Sequence, residues 1–140
     1  MKPTRQEDNF GCAVACMAFV LNIKYKDAIK LFKNGEKRVK SIPNFYCREI
    51  VEILNNAGFN YQYKYIKPKI RNKIYKQNTI VFIKKSKKYH YGHYLVRYNN
   101  RWMDSWINFP DDKIKAGFRK RLPGKTIYII FQIKNPELFS

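Results

Sequence analysis

The segment YHYGHYLVRYNNRWMDSW, residues 89–106, holds the reading that decides the fold. Two runs rich in aromatic and aliphatic residues flank Asn99 and Asn100, which fit a two-residue turn, so the segment predicts an antiparallel β-hairpin. The turn fixes the register: Tyr98 faces Arg101, Leu95 faces Asp104, and His93 faces Trp106. Side chains alternate across a strand, which puts residues 93, 95, 102, 104 and 106 on one face. His93 and Asp104 become diagonal neighbours there, roughly 7 Å apart at the backbone. His90 differs in parity and would point to the other face if the strand reached that far. A histidine with a carboxylate set to orient its ring is half of a nucleophilic site. The hairpin lacks only the nucleophile.

Outward from the hairpin, three further runs read as strands: FNYQYKYI (59–66), NTIVFIKK (78–85) and KTIYIIFQIK (125–134). The hairpin's second arm extends as RWMDSWI (101–107). The first 58 residues read as helical instead. A helix from about Cys12 to Leu21, capped by Asn9 or Asp8, carries Ala13, Cys16, Met17 and Val20 on one side. A second fits YKDAIKLFKNG (25–35), with Tyr25, Ala28, Ile29 and Phe32 on one side and Gly35 as its stop. A third fits CREIVEILNNAGF (47–59), with Ile50, Val51 and Leu54 inward and Gly58 ending it. Helices first and an antiparallel sheet afterwards make an α+β fold. No repeat, low-complexity tract or linker divides the chain, so residues 1–140 are expected to form a single domain.

The nucleophile is sought in RQEDNFGCAVACMAFVLN, residues 5–22. Cys12 opens an apolar helix, where unpaired backbone N–H groups and the helix dipole favour a thiolate. A nearby histidine can pair with that thiolate and later protonate a leaving group. A tetrahedral intermediate also needs donors for its oxyanion; the Cys12 N–H and the Gln6 side-chain amide are the candidates. Every part of acyl transfer then has a residue.

The pattern Q-x5-C-x-x-A-C, Gln6 through Cys16, followed far downstream by HYLVRYNNRWMDSW, resembles the cysteine peptidase domain that processes bacteriocin leader peptides. These double-glycine peptidase domains are small members of the papain-like superfamily. The resemblance covers roughly residues 4 to 134 and implies a papain-like fold, N-terminal helices packed on a C-terminal antiparallel sheet. It implies Cys12 as nucleophile, His93 as base, Asp104 as orienter and Gln6 in the oxyanion hole. The family often has glycine directly after the nucleophile, whereas here Gly11 precedes Cys12 and Ala13 follows it. Its domains are usually attached to a membrane exporter, and this chain shows neither membrane spans nor a nucleotide-binding domain.

Three cysteines without a secretory signal argue against a disulfide framework. Cys16 lies one helical turn from Cys12 and reads as packing beneath the site, with a resolving thiol as the functional option; Cys47 reads as a packing or surface residue. A zinc set of Cys12, Cys16, His90 and His93 has acceptable ligand types. Residues three apart on a strand face opposite ways, however, and that set gives Gln6 and Asp104 no role. No metal or cofactor is therefore expected.

The net charge of +19 implies attraction to acidic proteins, nucleic acid or anionic membranes, although the basic residues are spread along the chain. The stretch YQYKYIKPKIRNKIYKQ (61–77) pairs bases with tyrosines, as a nucleic-acid surface would, and reads more simply as a solvated strand or edge. The absence of a signal peptide and of a long apolar run leads us to expect a cytoplasmic protein, or an effector delivered into another cell. The expected function is a cysteine peptidase or related thiol amidohydrolase acting on a protein or peptide, acidic substrates included. Glutamine deamidation and transfer to an amine use the same machinery. The alternative from another class is a catalytically silent basic module that docks on an acidic partner or nucleic acid.

Overall fold

Alternating apolar side chains along the strands supply two cores, one on each face of a single sheet. Ile80, Tyr94, Val96, Met103 and Ile130 pack against the helices on one face. Val81, Ile83, Leu95, Trp102, Ile129 and Phe131 pack together on the other, with Ile74 and Tyr89. A computed structural model describes residues 1–41 and 45–133; Lys134, where the last expected strand run ends, lies outside them. The helices are α1 (Cys12–Leu21), α2 (Tyr25–Ile29), α3 (Gly35–Ser41) and α4 (Cys47–Asn56). The strands are β1 (Tyr61–Tyr65), β2 (Ile80–Ile83), β3 (His93–Tyr98), β4 (Arg101–Asp104), β5 (Gly117–Arg119) and β6 (Thr126–Gln132). They pair antiparallel throughout, in the order β1-β6-β2-β3-β4-β5. The arrangement is the expected α+β one.

The hairpin register is the one the sequence dictates: Val96 pairs with Met103, Arg97 with Trp102 and Tyr98 with Arg101. Asn99 and Asn100 both adopt positive φ, 46° and 65°, as a tight turn between right-handed twisted strands requires. β4 ends at Asp104, so Trp106 sits in the turn that follows rather than opposite His93.

The helices depart from expectation in instructive ways. α1 is buried on every side from Ala13 to Val20, not along one stripe, because it packs on β3 with α2 and α4 against it. Its alanines let these neighbours approach. Neither Asp8 nor Asn9 caps it: Gly11 is the N-cap and supplies no side chain. Gly35 does not stop the second helix but opens α3, and α2 ends at Ile29. A Cβ on Gly35 would collide with the Ile29 carbonyl oxygen, so the chain turns tightly there instead of continuing one helix. α4 buries Ile50 and Leu54 fully and leaves Val51 half-buried. The basic stretch 61–77 is not one strand. It forms β1, at the sheet edge, and a 3-10 helix over Pro68–Tyr75 whose Ile74 seals the second core.

Candidate active site

Asp104 is the last residue of β4, and its two flanking strands each offer it a diagonal neighbour. On one side His93 opens β3; its Nε2 donates to Asp104 Oδ1 at 2.7 Å. On the other, Arg119 closes β5, two residues beyond the Gly117 that pairs with Asp104. Its Nη1 donates to Asp104 Oδ2 at 2.9 Å. The Trp106 backbone N–H adds a third bond, to Oδ1 at 3.1 Å. Asp104 is completely buried. A buried carboxylate needs such partners to remain charged. Burial pushes its pKa up, but the His93 hydrogen bond and charge, the Trp106 N–H and Arg119 outweigh that, and the net direction is down.

His93 is buried and its ring lies nearly parallel to Tyr89, 4.8 Å between centroids and 13° between planes. Phe109 stacks on the far face of this group, 5.1 Å from Tyr89, and meets Trp106 edge-on at 4.8 Å. The ring is thus fixed by aromatic packing as well as by Asp104. Gly92, just before it, has φ +75°, and a Cβ there would strike the Phe82 ring and the Ile83 carbonyl. Glycine is what lets the chain enter β3 at His93 from the turn after Tyr89.

Cys12 also acts on this imidazole, through a side-chain hydrogen bond and its charge. Burial is the largest influence on His93 and disfavours its charged form. The bonds and charges of Asp104 and Cys12 overcome it, pushing the pKa up to about 9. His93 therefore favours imidazolium at neutral pH. Cys12 is the first residue of α1 and half-buried. The N–H groups of a first turn have no intrahelical acceptor, and Gly11 offers no side-chain cap, so they face outward uncapped. Gly11 is small for a local reason: the Tyr25 phenol, which donates to Asp8 Oδ2 at 3.0 Å, occupies the space of its missing Cβ.

Gln6 is buried and lines the same cleft as Cys12 and His93. Ser105 Oγ donates to its Oε1 at 2.8 Å, and its own backbone N–H donates to the Ser105 carbonyl at 3.2 Å. Gln6 Nε2 donates to the Asp8 carbonyl at 2.8 Å and to that of Asn9 at a longer 3.3 Å. The residue after Asp104 thereby ties the N-terminal segment to the hairpin.

The cleft has a volume of about 1360 Å³ and runs past Phe45, Tyr46 and Cys47 toward Tyr63 and Tyr128. Its sheet side is paved by direct cross-strand neighbours, Tyr94, Phe82 and Tyr128 on β3, β2 and β6. Cys47 is buried at its wall, 3.7 Å from the Tyr94 hydroxyl, and burial pushes its thiol pKa up. Cys16 is sealed beneath the site; burial, then the charges of Cys12 and Asp104, raise its pKa well above the ordinary thiol value. His90 is exposed in the turn preceding β3. Among the described residues no group of three or more histidines, cysteines and carboxylates is arranged to hold a metal ion.

The structure thus brings Cys12, His93 and Asp104 into one connected row with Gln6 beside it. Sequence reasoning missed Arg119 and Ser105. Ser105 is legible as the neighbour of Asp104, but Arg119 rests on a three-residue strand whose pattern carries no period.

No family model matches the chain, and no curated protein does. Among solved structures, the crystal structure of the peptidase domain of Streptococcus ComA, a bi-functional ABC transporter involved in a quorum-sensing pathway, shares its fold. The match has a TM-score of 0.59 at 21% identity and covers 96% of this chain and 98% of that one. The expected α+β fold, N-terminal helices packed on an antiparallel sheet, is therefore the fold found, and it is shared with that peptidase domain. Among the described residues no helix is long and apolar enough to cross a membrane.

Proposed function

We propose that this protein is a papain-like cysteine peptidase with Cys12 as nucleophile, His93 as acid–base, Asp104 as orienter and Gln6 as an oxyanion donor. The observation that carries the reading is the imidazole held between the buried Asp104 carboxylate and a thiol at the open end of a helix. The fold shared with a peptidase domain supports it.

The chemistry runs as follows. The Cys12 thiolate attacks a carbonyl carbon lying in the cleft, forming a carbon–sulfur bond and an oxyanion. The Cys12 N–H and Gln6 Nε2 stabilise that oxyanion, Gln6 by sharing with it the N–H that makes the longer bond to the Asn9 carbonyl. His93 gives its proton to the departing amine as the carbon–nitrogen bond breaks, leaving a thioester. Water, losing a proton to His93, then attacks the thioester; the carbon–sulfur bond breaks, the carboxylic acid leaves and the thiolate–imidazolium pair is restored. The cleft accommodates several residues of an extended chain, which favours a peptide substrate. Deamidation or amine transfer uses the same steps with ammonia leaving or an amine replacing water.

The test is incubation with a mixed peptide library, read by mass spectrometry, for the wild type and Cys12→Ala. New peptide termini that require Cys12 are expected. Glutamine-to-glutamate conversion without cleavage would transfer the reading to a deamidase. Binding to acidic partners that persists in Cys12→Ala, with no product from the wild type, would favour the silent basic module.

A further inference from the structure

We propose that Arg119 is a positioning residue for this site, holding the free oxygen of Asp104 and offsetting its charge so that His93 can release its proton. The proposal rests on the reading of Cys12, His93 and Asp104 as the reacting set.

The geometry is that of a carboxylate shared between two cations. Asp104 gives Oδ1 to His93 at 2.7 Å and Oδ2 to Arg119 at 2.9 Å, from opposite neighbouring strands. A carboxylate with one oxygen unheld rotates; with both engaged, its plane and the tilt of His93 are fixed together. The Arg119 side chain is only 26% exposed and does not behave as a surface charge. Its charge is also felt at the Tyr89 phenol, whose pKa burial and Asp104 raise and Arg119 lowers, although the Tyr89 hydroxyl has no hydrogen-bond partner among the described residues. Tyr89 is the ring stacked on His93. The guanidinium therefore buttresses the imidazole through its hydrogen-bond acceptor, Asp104.

The charge has a separate consequence. The titratable and charged groups around His93 are Cys12 and Cys16 on α1, Tyr89 before β3, Asp104 on β4 and Arg119 on β5. Arg119 is the one permanent cation of that group. An imidazolium between a thiolate and an uncompensated carboxylate would hold its proton too tightly to protonate a leaving amine. A guanidinium behind the carboxylate weakens that hold without removing the hydrogen bond.

The chain has two histidines, His90 and His93, so the ring titrations can be followed by NMR on histidine-labelled protein with exposed His90 as internal control. The wild type, Arg119→Gln and Arg119→Lys are compared. Glutamine keeps a donor for Oδ2 and loses the charge; lysine keeps the charge. In Arg119→Gln the His93 midpoint is expected to rise by roughly half to one pH unit while His90 stays put. In Arg119→Lys it is expected to return to the wild-type value. An unshifted or lowered His93 in Arg119→Gln, or equal shifts in both histidines, overturns the proposal, and so does a lysine variant that titrates like the glutamine one. A wild-type His93 that titrates at an ordinary histidine pKa defeats the underlying site reading instead, so the two failures are told apart.

Discussion

Cys12 and Cys16 lie one turn apart on the same helix and end in opposite chemical circumstances. Cys12 stands at the uncapped end of α1, half-buried, against a charged imidazole and open to the cleft. Cys16 is fully enclosed, and both its burial and the charges of Cys12 and Asp104 disfavour its thiolate. The difference owes nothing to residue type. On the proposed reading, reactivity comes from where the helix begins and what the sheet presents to that end, and a single turn inward leaves only a core side chain.

The sharpest way to break this contrast is to remove each thiol. Cys12→Ala is expected to lower peptide turnover by a factor on the order of 10⁴ or more, with the fold intact. Cys16→Ala should leave the chemistry in place and cost about 1 kcal/mol in a denaturation midpoint, the loss of one small buried group. Turnover lost equally in both variants would erase the distinction. Next in size is Asp104→Asn, expected to reduce turnover on the order of 10²- to 10⁴-fold, because the imidazole loses its ionic partner and its fixed tautomer.

pH sharpens the comparison further. His93 holds its proton up to about 9, so turnover should fall as pH rises through that value and the proton for the leaving amine is lost. The same sign governs stability. A histidine pKa raised from 6.5 to about 9 adds stability that is fully present below 6.5 and lost as pH climbs through 9. The lowered Asp104 pKa works on the acid side, adding stability above the ordinary carboxylate range that is lost as pH falls through the lowered value. Thermal melting of the wild type against His93→Ala across pH 7 to 10 checks the alkaline part; parallel curves would contradict it.

The smallest effects concern the approach to β3. Gly92→Ala should cost roughly 1–3 kcal/mol, since its positive φ and the Phe82 ring both exclude a side chain. His90→Ala, in an exposed turn, should change turnover less than twofold. A larger effect from His90 than from His93 would undo the hairpin assignment.

Much of this site was legible because its parts are tied to strong local rules. Two asparagines at a tight turn fix a register, and the register makes His93 and Asp104 neighbours without any knowledge of the fold. The glutamine–cysteine spacing placed Gln6 and Cys12 at one helix entrance. What escaped were features decided by packing. α3 buries little beyond Gly35 and Val39 in a charged sequence, and so carries no apolar period. Gly35 looked like a helix stop because its contact with the Ile29 carbonyl exists only in the folded chain. β5 is three half-buried residues, too short to show alternation, and with it went Arg119. Asp8 does not cap α1 because it accepts from Tyr25 instead, and the helix begins after Gly11, beyond both expected caps.

The most direct test of the central contrast is brief treatment with limiting iodoacetamide at mildly acidic pH, followed by intact-mass analysis and mapping of the modified residue. Alkylation confined to Cys12, sparing Cys16 and Cys47 and abolished in His93→Ala, is the expected result. Slow or indiscriminate labelling of the three thiols would contradict an activated Cys12–His93 pair.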